Sequence, residues 1–190
     1  MTNIIDNAIR TRCLQMRRSI SREYQQTCSQ AVCNTIRSIQ EYRDAKHIAI
    51  YKAVQGEIDL DDIWKTVINN DKNYYFPVIS SKDSLQFTLA TVETNFQKNR
   101  FGILEPEPTH ETISPEQLDI IFAPLVAFDI QGNRIGMGQG YYDKTLSTLR
   151  PKLLLGLGYE FQKQSSIKKQ PWDVQLDGII TEETIYWTRV

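Results

Sequence analysis

Short apolar runs of strand length alternate along this chain with segments whose apolar residues recur at helical spacing, and that alternation limits the fold more than any other feature. Leu118-Asp119-Ile120-Ile121-Phe122-Ala123-Pro124 is apolar at nearly successive positions, so as a strand it needs cover on both faces, as in a parallel sheet. His47–Tyr51, Tyr74–Val78, Leu153–Gly158 and Gly178–Thr181 read as further strands, and Leu85–Leu89 alternates like a strand with one wet face. Residues 3–18, with Ile5, Ile9 and Leu14, and residues 22–38, with Val32 and Ile36 leading to Ile39, carry the helical period, and Ser21 suits the N-cap between them. After a turn at Gln55-Gly56, Asp59 or Asp61 opens a helix expected to carry Ile63, Trp64, Val67 and Ile68. Another is expected from Tyr141 to about Leu149, and a Pro- and Glu-rich loop over about 102–116. The expectation is an α/β fold: a three-layer αβα sandwich around a mainly parallel sheet, Rossmann-like, with residues 1–190 as one domain. Such sheets place ligands beyond the carboxyl ends of their strands.

Composition removes several classes of function. A formal net charge of −1 gives no whole-protein attraction to nucleic acid or anionic lipid, so neither is expected as a partner and an anionic ligand needs a local site. No apolar run approaches the ~20 residues of a membrane span. Asn3, Asp6, Asn7 and Arg10 open the chain without a secretory signal's apolar core, and the expected compartment is the cytoplasm. Cys13, Cys28 and Cys33 are an odd set in expected helices, read as buried reduced thiols. His47 and His110 lie too far apart for a histidine zinc site.

Four of the nine glycines, Gly132, Gly136, Gly138 and Gly140, fall within nine residues. Glycines so placed let backbone N–H groups converge on an anion, with Arg134 adding charge and Asp143 a carboxylate for a cation that bridges phosphates. The spacing alone also fits a plain strand-to-helix turn. It is neither a Walker A loop, because Asp143 stands where glycine must precede Lys144-Thr145, nor a dinucleotide fingerprint from Gly136, because position 141 is Tyr141.

The run Pro124-Leu125-Val126-Ala127-Phe128-Asp129, followed by Gly132-Asn133-Arg134-Ile135-Gly136-Met137-Gly138-Gln139-Gly140-Tyr141-Tyr142-Asp143, closely resembles the signature of the 5-formyltetrahydrofolate cyclo-ligase family. The resemblance extends to the basic stretch from Arg10 to Ser21, to Gly56-Glu57-Ile58-Asp59, to Phe101-Gly102-Ile103 with Glu105-Pro106, and to Asp173 and Asp177 before Gly178-Ile179-Ile180-Thr181. It implies an ATP- and Mg2+-dependent enzyme that closes 5-formyltetrahydrofolate into 5,10-methenyltetrahydrofolate. In such an enzyme the γ-phosphoryl of ATP moves onto the formyl oxygen, and N10 then attacks the activated carbon.

The family's site residues carry over by position. The resemblance assigns ATP to Arg10, Arg134, Ile135, Gly136, Met137, Gly138, Gln139, Gly140, Tyr141 and Tyr142. It assigns folate to Arg10, Lys52, Glu57, Tyr141 and Tyr142, catalysis to Arg134, Tyr142 and Asp143, and magnesium to Asp143 and Asp177. Asp6 stands where some relatives have lysine, and Met137 and Gln139 where some have basic residues, so phosphate binding is expected to lean on backbone N–H groups and Arg134. Some of these positions also have a purely structural alternative. Tyr141 and Tyr142 suit a core, Glu57 the cap of the following helix, Asp177 a strand-end turn, and Lys168-Lys169 a solvated pair rather than a clamp for a polyglutamate tail. The competing functions are a phosphorylated-metabolite sensor and a nucleotide-dependent oxidoreductase, the latter disfavoured by the failed fingerprint. A monomer is expected.

Overall fold

The computed structural model describes residues 4–65, 71–80, 84–107 and 111–188. An eight-stranded sheet forms its centre, built from β1 (His47–Ala49), β2 (Asn73–Ile79), β3 (Leu85–Ala90), β6 (Thr112–Ile113), β7 (Ile120–Pro124), β10 (Leu153–Leu157), β11 (Gly178–Ile180) and β12 (Ile185–Trp187). The order is β12-β11-β10-β7-β1-β2-β3-β6, with β11, β10, β7, β1 and β2 parallel and antiparallel pairing at both edges.

Strand periodicity sorts the apolar side chains to two faces. Ile120, Phe122, Leu153, Leu155 and Leu157 join Val32, Cys33 and Ile36 of α2 (Arg22–Ser38) and Tyr42 of α3 (Gln40–Asp44) in one core. Ile121, Ala123 and Leu154 face the other way, against Leu146 of α5 (Tyr141–Leu146). The continuous apolar runs are therefore covered on both sides, and the sheet is sandwiched between helical layers. Ser21 caps α2, its hydroxyl accepting from the Tyr24 N–H at 3.0 Å. Cys13, Cys28 and Cys33 are buried free thiols. Among the described residues no helix is long and apolar enough to cross a membrane.

Several expectations need correction. β3 has no clean wet face, because Thr88 as well as Phe87 is buried where β2 and β6 flank the strand. α5 stops at Leu146, so Leu149 is exposed beyond it. α4 begins at Asp61, whose N–H bonds the Asp59 carboxylate, and runs to Trp64; Val67, Ile68 and His110 lie outside the described residues. The 102–116 loop contains β5 (Leu104–Pro106), paired with β4 (Phe96–Lys98), together with β6 and a 3-10 turn at Pro115–Gln117.

The helix α1 (Ile4–Ser19) packs on neither face of the sheet. Ile9, Cys13 and Leu14 lie against Val126, Ala127, Ile135 and Ile167, beyond the carboxyl ends of the strands. That docking brings the basic side chains of α1 to the edge where ligands of such sheets bind.

Candidate active site

The glycine cluster is built as a hairpin followed by an open loop. After β7 the chain forms β8 (Ala127–Phe128), turns through Ile130–Asn133 and returns as β9 (Arg134–Ile135). The fully buried Asp129 carboxylate organises the turn, accepting from the Gln131 and Asn133 N–H groups, the Asn133 side chain and the Ile167 N–H at 2.8–3.1 Å. Gly132, at φ +87°, completes the turn and bonds the 174–176 segment through Leu176 N–H, 3.0 Å from its carbonyl.

Arg134 and Asp143 meet where the hairpin hands over to α5. The Arg134 guanidinium, only 6% exposed, donates to Asp143 Oδ1 at 2.6 Å and to the Val174 carbonyl. Val174 N–H donates to the same Oδ1 at 3.1 Å, whereas Oδ2 receives no hydrogen bond among the described residues. Asp173 lies close enough to feel this group. Burial pushes its carboxyl up, the Gln170 N–H pulls it down, and Asp143 and Asp6 push it up again.

Between these anchors Met137, Gly138 and Gln139 are exposed, and Gly138 and Gly140 take φ of +100° and +70°. Among the described residues no backbone N–H from Met137 to Gly140 donates to another protein group. Arg10 reaches in from α1, its Nε donating to the Gly136 carbonyl at 2.8 Å and its guanidinium lying against Gly138. Ile135 is buried in the small core under α1.

The two tyrosines diverge. Tyr142 packs against the α5-side core, and its hydroxyl is pushed far above the ordinary range by burial and then by the Glu57 carboxylate. Tyr141 lies nearer the surface, its hydroxyl accepting from Arg100 at 2.8 Å and its ring edge-on to Phe101 at 6.2 Å. Glu57 does not cap the helix after it. It turns back to accept from the Val54 N–H at 3.1 Å, and its other oxygen lies 3.5 Å from the guanidinium of Arg17. Lys52, in the loop after β1, is paired with Asp61 at 2.9 Å. Its ammonium lies 5.1–5.6 Å from the ring centres of Trp64, Phe76 and Phe96, so aromatic faces stabilise the charge.

The structure thus gathers Arg10, the Arg134–Tyr142 stretch and Asp143 into one locus, with Glu57 coupled to it through Tyr142. Asp177 is held elsewhere. It lies just before β11 at 3% exposure, with one oxygen accepting from Arg150 at 2.7 Å and the other from the Leu154 N–H at 2.8 Å. Lys168 and Lys169 stay exposed. A cleft at the amino-terminal edge of the strands is lined by Glu41, Asp44, Lys152 and Trp187, none of them a residue of this locus. Residue-by-residue sequence reading missed Arg17, Arg100 and Asp129. Only Asp129 carried a local signal, an Asp three residues before Gly and four before Asn at a turn.

The chain is similar to known proteins over most of its length. The model of the 5-formyltetrahydrofolate cyclo-ligase family matches residues 4–182. The 5-formyltetrahydrofolate cyclo-ligase of Haemophilus influenzae is 36% identical over 177 residues, covering 90% of this chain and 95% of its own. The solution structure of Aquifex aeolicus 5,10-methenyltetrahydrofolate synthetase superposes with a TM-score of 0.88 at 29% identity, over 98% of this chain and 94% of that one. The 5,10-methenyltetrahydrofolate synthetase from Mycoplasma pneumoniae gives 0.75 at 28% identity, over 93% and 98%. A match of this extent, over a chain whose glycine hairpin, Arg134 and Asp143 converge at one strand edge, means that the protein belongs to the 5-formyltetrahydrofolate cyclo-ligase family.

Proposed function

We propose that this protein converts 5-formyltetrahydrofolate into 5,10-methenyltetrahydrofolate at the expense of ATP, with magnesium, at the locus formed by Arg10, residues 134–143 and Glu57. The observation that carries the reading is the loop from Met137 to Gly140, whose backbone N–H groups donate to no protein group among the described residues and are flanked by two guanidinium groups. Undonated N–H groups with Arg10 and Arg134 beside them suit the oxygens of a triphosphate.

The donor set suits magnesium. Among the described residues Asp143 keeps one carboxylate oxygen without a hydrogen bond, hard oxygen is the donor this ion takes, and Asp173 and Asp6 add negative potential. Asp143 would hold the ion, whose contribution when bound is to neutralise charge on the phosphates.

The remaining work falls to residues that position and stabilise. The formyl carbonyl of the substrate is an amide and a poor electrophile. Transfer of the γ-phosphoryl to its oxygen releases ADP and makes that oxygen a leaving group. N10 then attacks the formyl carbon, the C–O bond to phosphate breaks, and N10 gives up its proton. Catalysis of this kind consists of holding two substrates in line and offsetting phosphate charge, and it needs no enzyme nucleophile. The buried Cys13, Cys28 and Cys33 fit such a reaction, since burial pushes all three thiols up and away from thiolate chemistry.

The test is absorbance in the methenyl product's band after mixing protein, ATP, magnesium and 5-formyltetrahydrofolate. Product is expected only when all four are present, and Asp143→Ala is expected to abolish it while the far-ultraviolet circular dichroism is unchanged. A protein that binds phosphorylated metabolites but makes no methenyl product would sink the proposal in favour of a sensor.

A further inference from the structure

Arg17 is the most deeply buried basic residue among the described residues, at 2% exposure, and it joins two loops of the carboxyl edge. Its Nε donates to the Gln55 carbonyl at 3.0 Å, in the loop after β1, and its NH1 to the Leu125 carbonyl at 3.1 Å, in the loop after β7. The third nitrogen, NH2, faces Glu57 at 3.5 Å, close enough for Coulomb attraction but too long for a good hydrogen bond. Among the described residues NH2 has no hydrogen-bond partner.

The chain around Arg17 is shaped to accept it. Gln55 is the only non-glycine residue with a positive φ among the described residues, at +50°, and Gly56 follows at +77°. A Cβ on Gly56 would come within 2.9 Å of the Arg17 carbonyl and 3.3 Å of its Cγ. Tyr159, itself fully buried, fixes the same turn by donating to the Gly56 carbonyl at 2.9 Å. A costly backbone turn, wrapped on an arginine, thus ends at Glu57.

We propose that Arg17 is a positioning residue for folate: it acts through Glu57, keeping that buried carboxylate charged and aimed so that it accepts hydrogen bonds from the N–H donor edge of the pterin ring. The inference rests on the proposed folate site. A carboxylate 6% exposed is normally driven toward its neutral form, and a neutral carboxyl cannot accept with both oxygens from an amidine-like edge. On balance burial pushes its carboxyl up, and Arg17 and then the Val54 N–H oppose that rise. The neighbouring hydroxyls of Tyr51 and Tyr142 are themselves pushed up by burial and then by Glu57, so at neutral pH neither is an anion competing with it. Among the described residues Arg17 is the full positive charge that faces this carboxylate.

A double-mutant cycle tests this. Arg17→Gln and Glu57→Gln are each expected to raise KM for 5-formyltetrahydrofolate about tenfold or more, the scale of a buried charge-assisted hydrogen bond, and to leave KM for ATP within about twofold. The double variant is expected to be no worse than Glu57→Gln alone. The Arg17→Gln defect is expected to shrink from about pH 6 to about pH 9 as the unsupported Glu57 ionises, whereas the Glu57→Gln defect does not. Additive losses, or KM for ATP rising in step, would overturn the proposal. If either variant does not fold, the wild-type protein decides by carbon-13 titration of its glutamate carboxyls: an ionised Glu57 at neutral pH supports the proposal and a protonated one overturns it. That readout needs no turnover, so a wild-type protein that makes no methenyl product would fail the folate reading separately.

Discussion

Gly132 offers a quantitative test of how the site hairpin is held. A Cβ there would stand 2.6 Å from the Leu176 carbonyl oxygen, 2.9 Å from Thr188 Cγ2 and 3.2 Å from Gln175 Cγ. The two side chains can yield, but the carbonyl is backbone and already accepts from the Thr188 hydroxyl at 2.6 Å. Backing away would stretch the bond from Leu176 N–H to the Gly132 carbonyl, a loss of about 1 kcal/mol. The φ of +87° adds about 1–2 kcal/mol for an L side chain. Gly132→Ala is therefore expected to cost about 2–3 kcal/mol in all, or roughly 4–12 °C in melting temperature for a chain of this size. Gly140→Ala is the control. Its φ is +70° but nothing lies within 4 Å of the added carbon, so only the backbone term of about 1–2 kcal/mol applies, or about 2–7 °C. Thermal unfolding followed by circular dichroism at one pH and one protein concentration gives both values. If Gly132→Ala melts within a degree or two of Gly140→Ala, the close approach to Leu176 is not what fixes the hairpin.

Three further outcomes are expected. Arg134→Ala should weaken binding of a non-hydrolysable ATP analogue about 10–100-fold in titration calorimetry, since a charge-assisted contact is lost; unchanged affinity would remove Arg134 from the phosphate site. Asp177→Ala should lower stability by about 2–4 kcal/mol, because Arg150 and the buried Leu154 N–H lose their acceptor. The magnesium concentration for half-maximal activity should stay within about twofold in that variant; a stable protein with a large magnesium shift would put Asp177 at the metal instead. Asp119 is pushed up by burial but pulled down more by the His47 N–H, the Lys152 side chain and the Lys46 N–H, to about 2 from 3.8. Its stabilising effect is thus present above the unfolded value and lost as pH falls through the folded one, so Asp119→Asn should flatten the acid limb of a stability profile between about pH 4 and about pH 2. An unaltered acid limb would contradict this.

The layers of the fold were legible because they follow from periodicity. Ile120, Ile121, Phe122 and Ala123 had to face cover on both sides, and the structure supplies α2 on one and α5 on the other. The hairpins were not legible. β8 and β9 are two residues each, too short to show alternation, and they exist because Asp129 is buried in a ring of donors that only the folded chain brings together. The locus itself could be marked from its glycines and its resemblance to a family, since closely spaced glycines constrain backbone directly. Arg17 and Asp177 could not be sorted that way. A basic residue on a helix next to Arg18 reads as solvated, and an acid before a strand reads equally as ligand or as turn. What separates them is burial and partners 108 and 23 residues away.

The attachment of α1 bears on the order in which this molecule can be assembled. Arg10 bonds a residue 126 positions further on, Arg12 one 152 positions further on, and Arg17 one 108 positions further on. A lone 16-residue helix is marginal in water, so α1 has little to stabilise it while the chain is growing on a ribosome. Its apolar stripe must wait until the β8–β9 hairpin and Ile167 have emerged. The helix that carries Arg10 can accordingly settle only late in synthesis, after at least the first 167 residues have emerged.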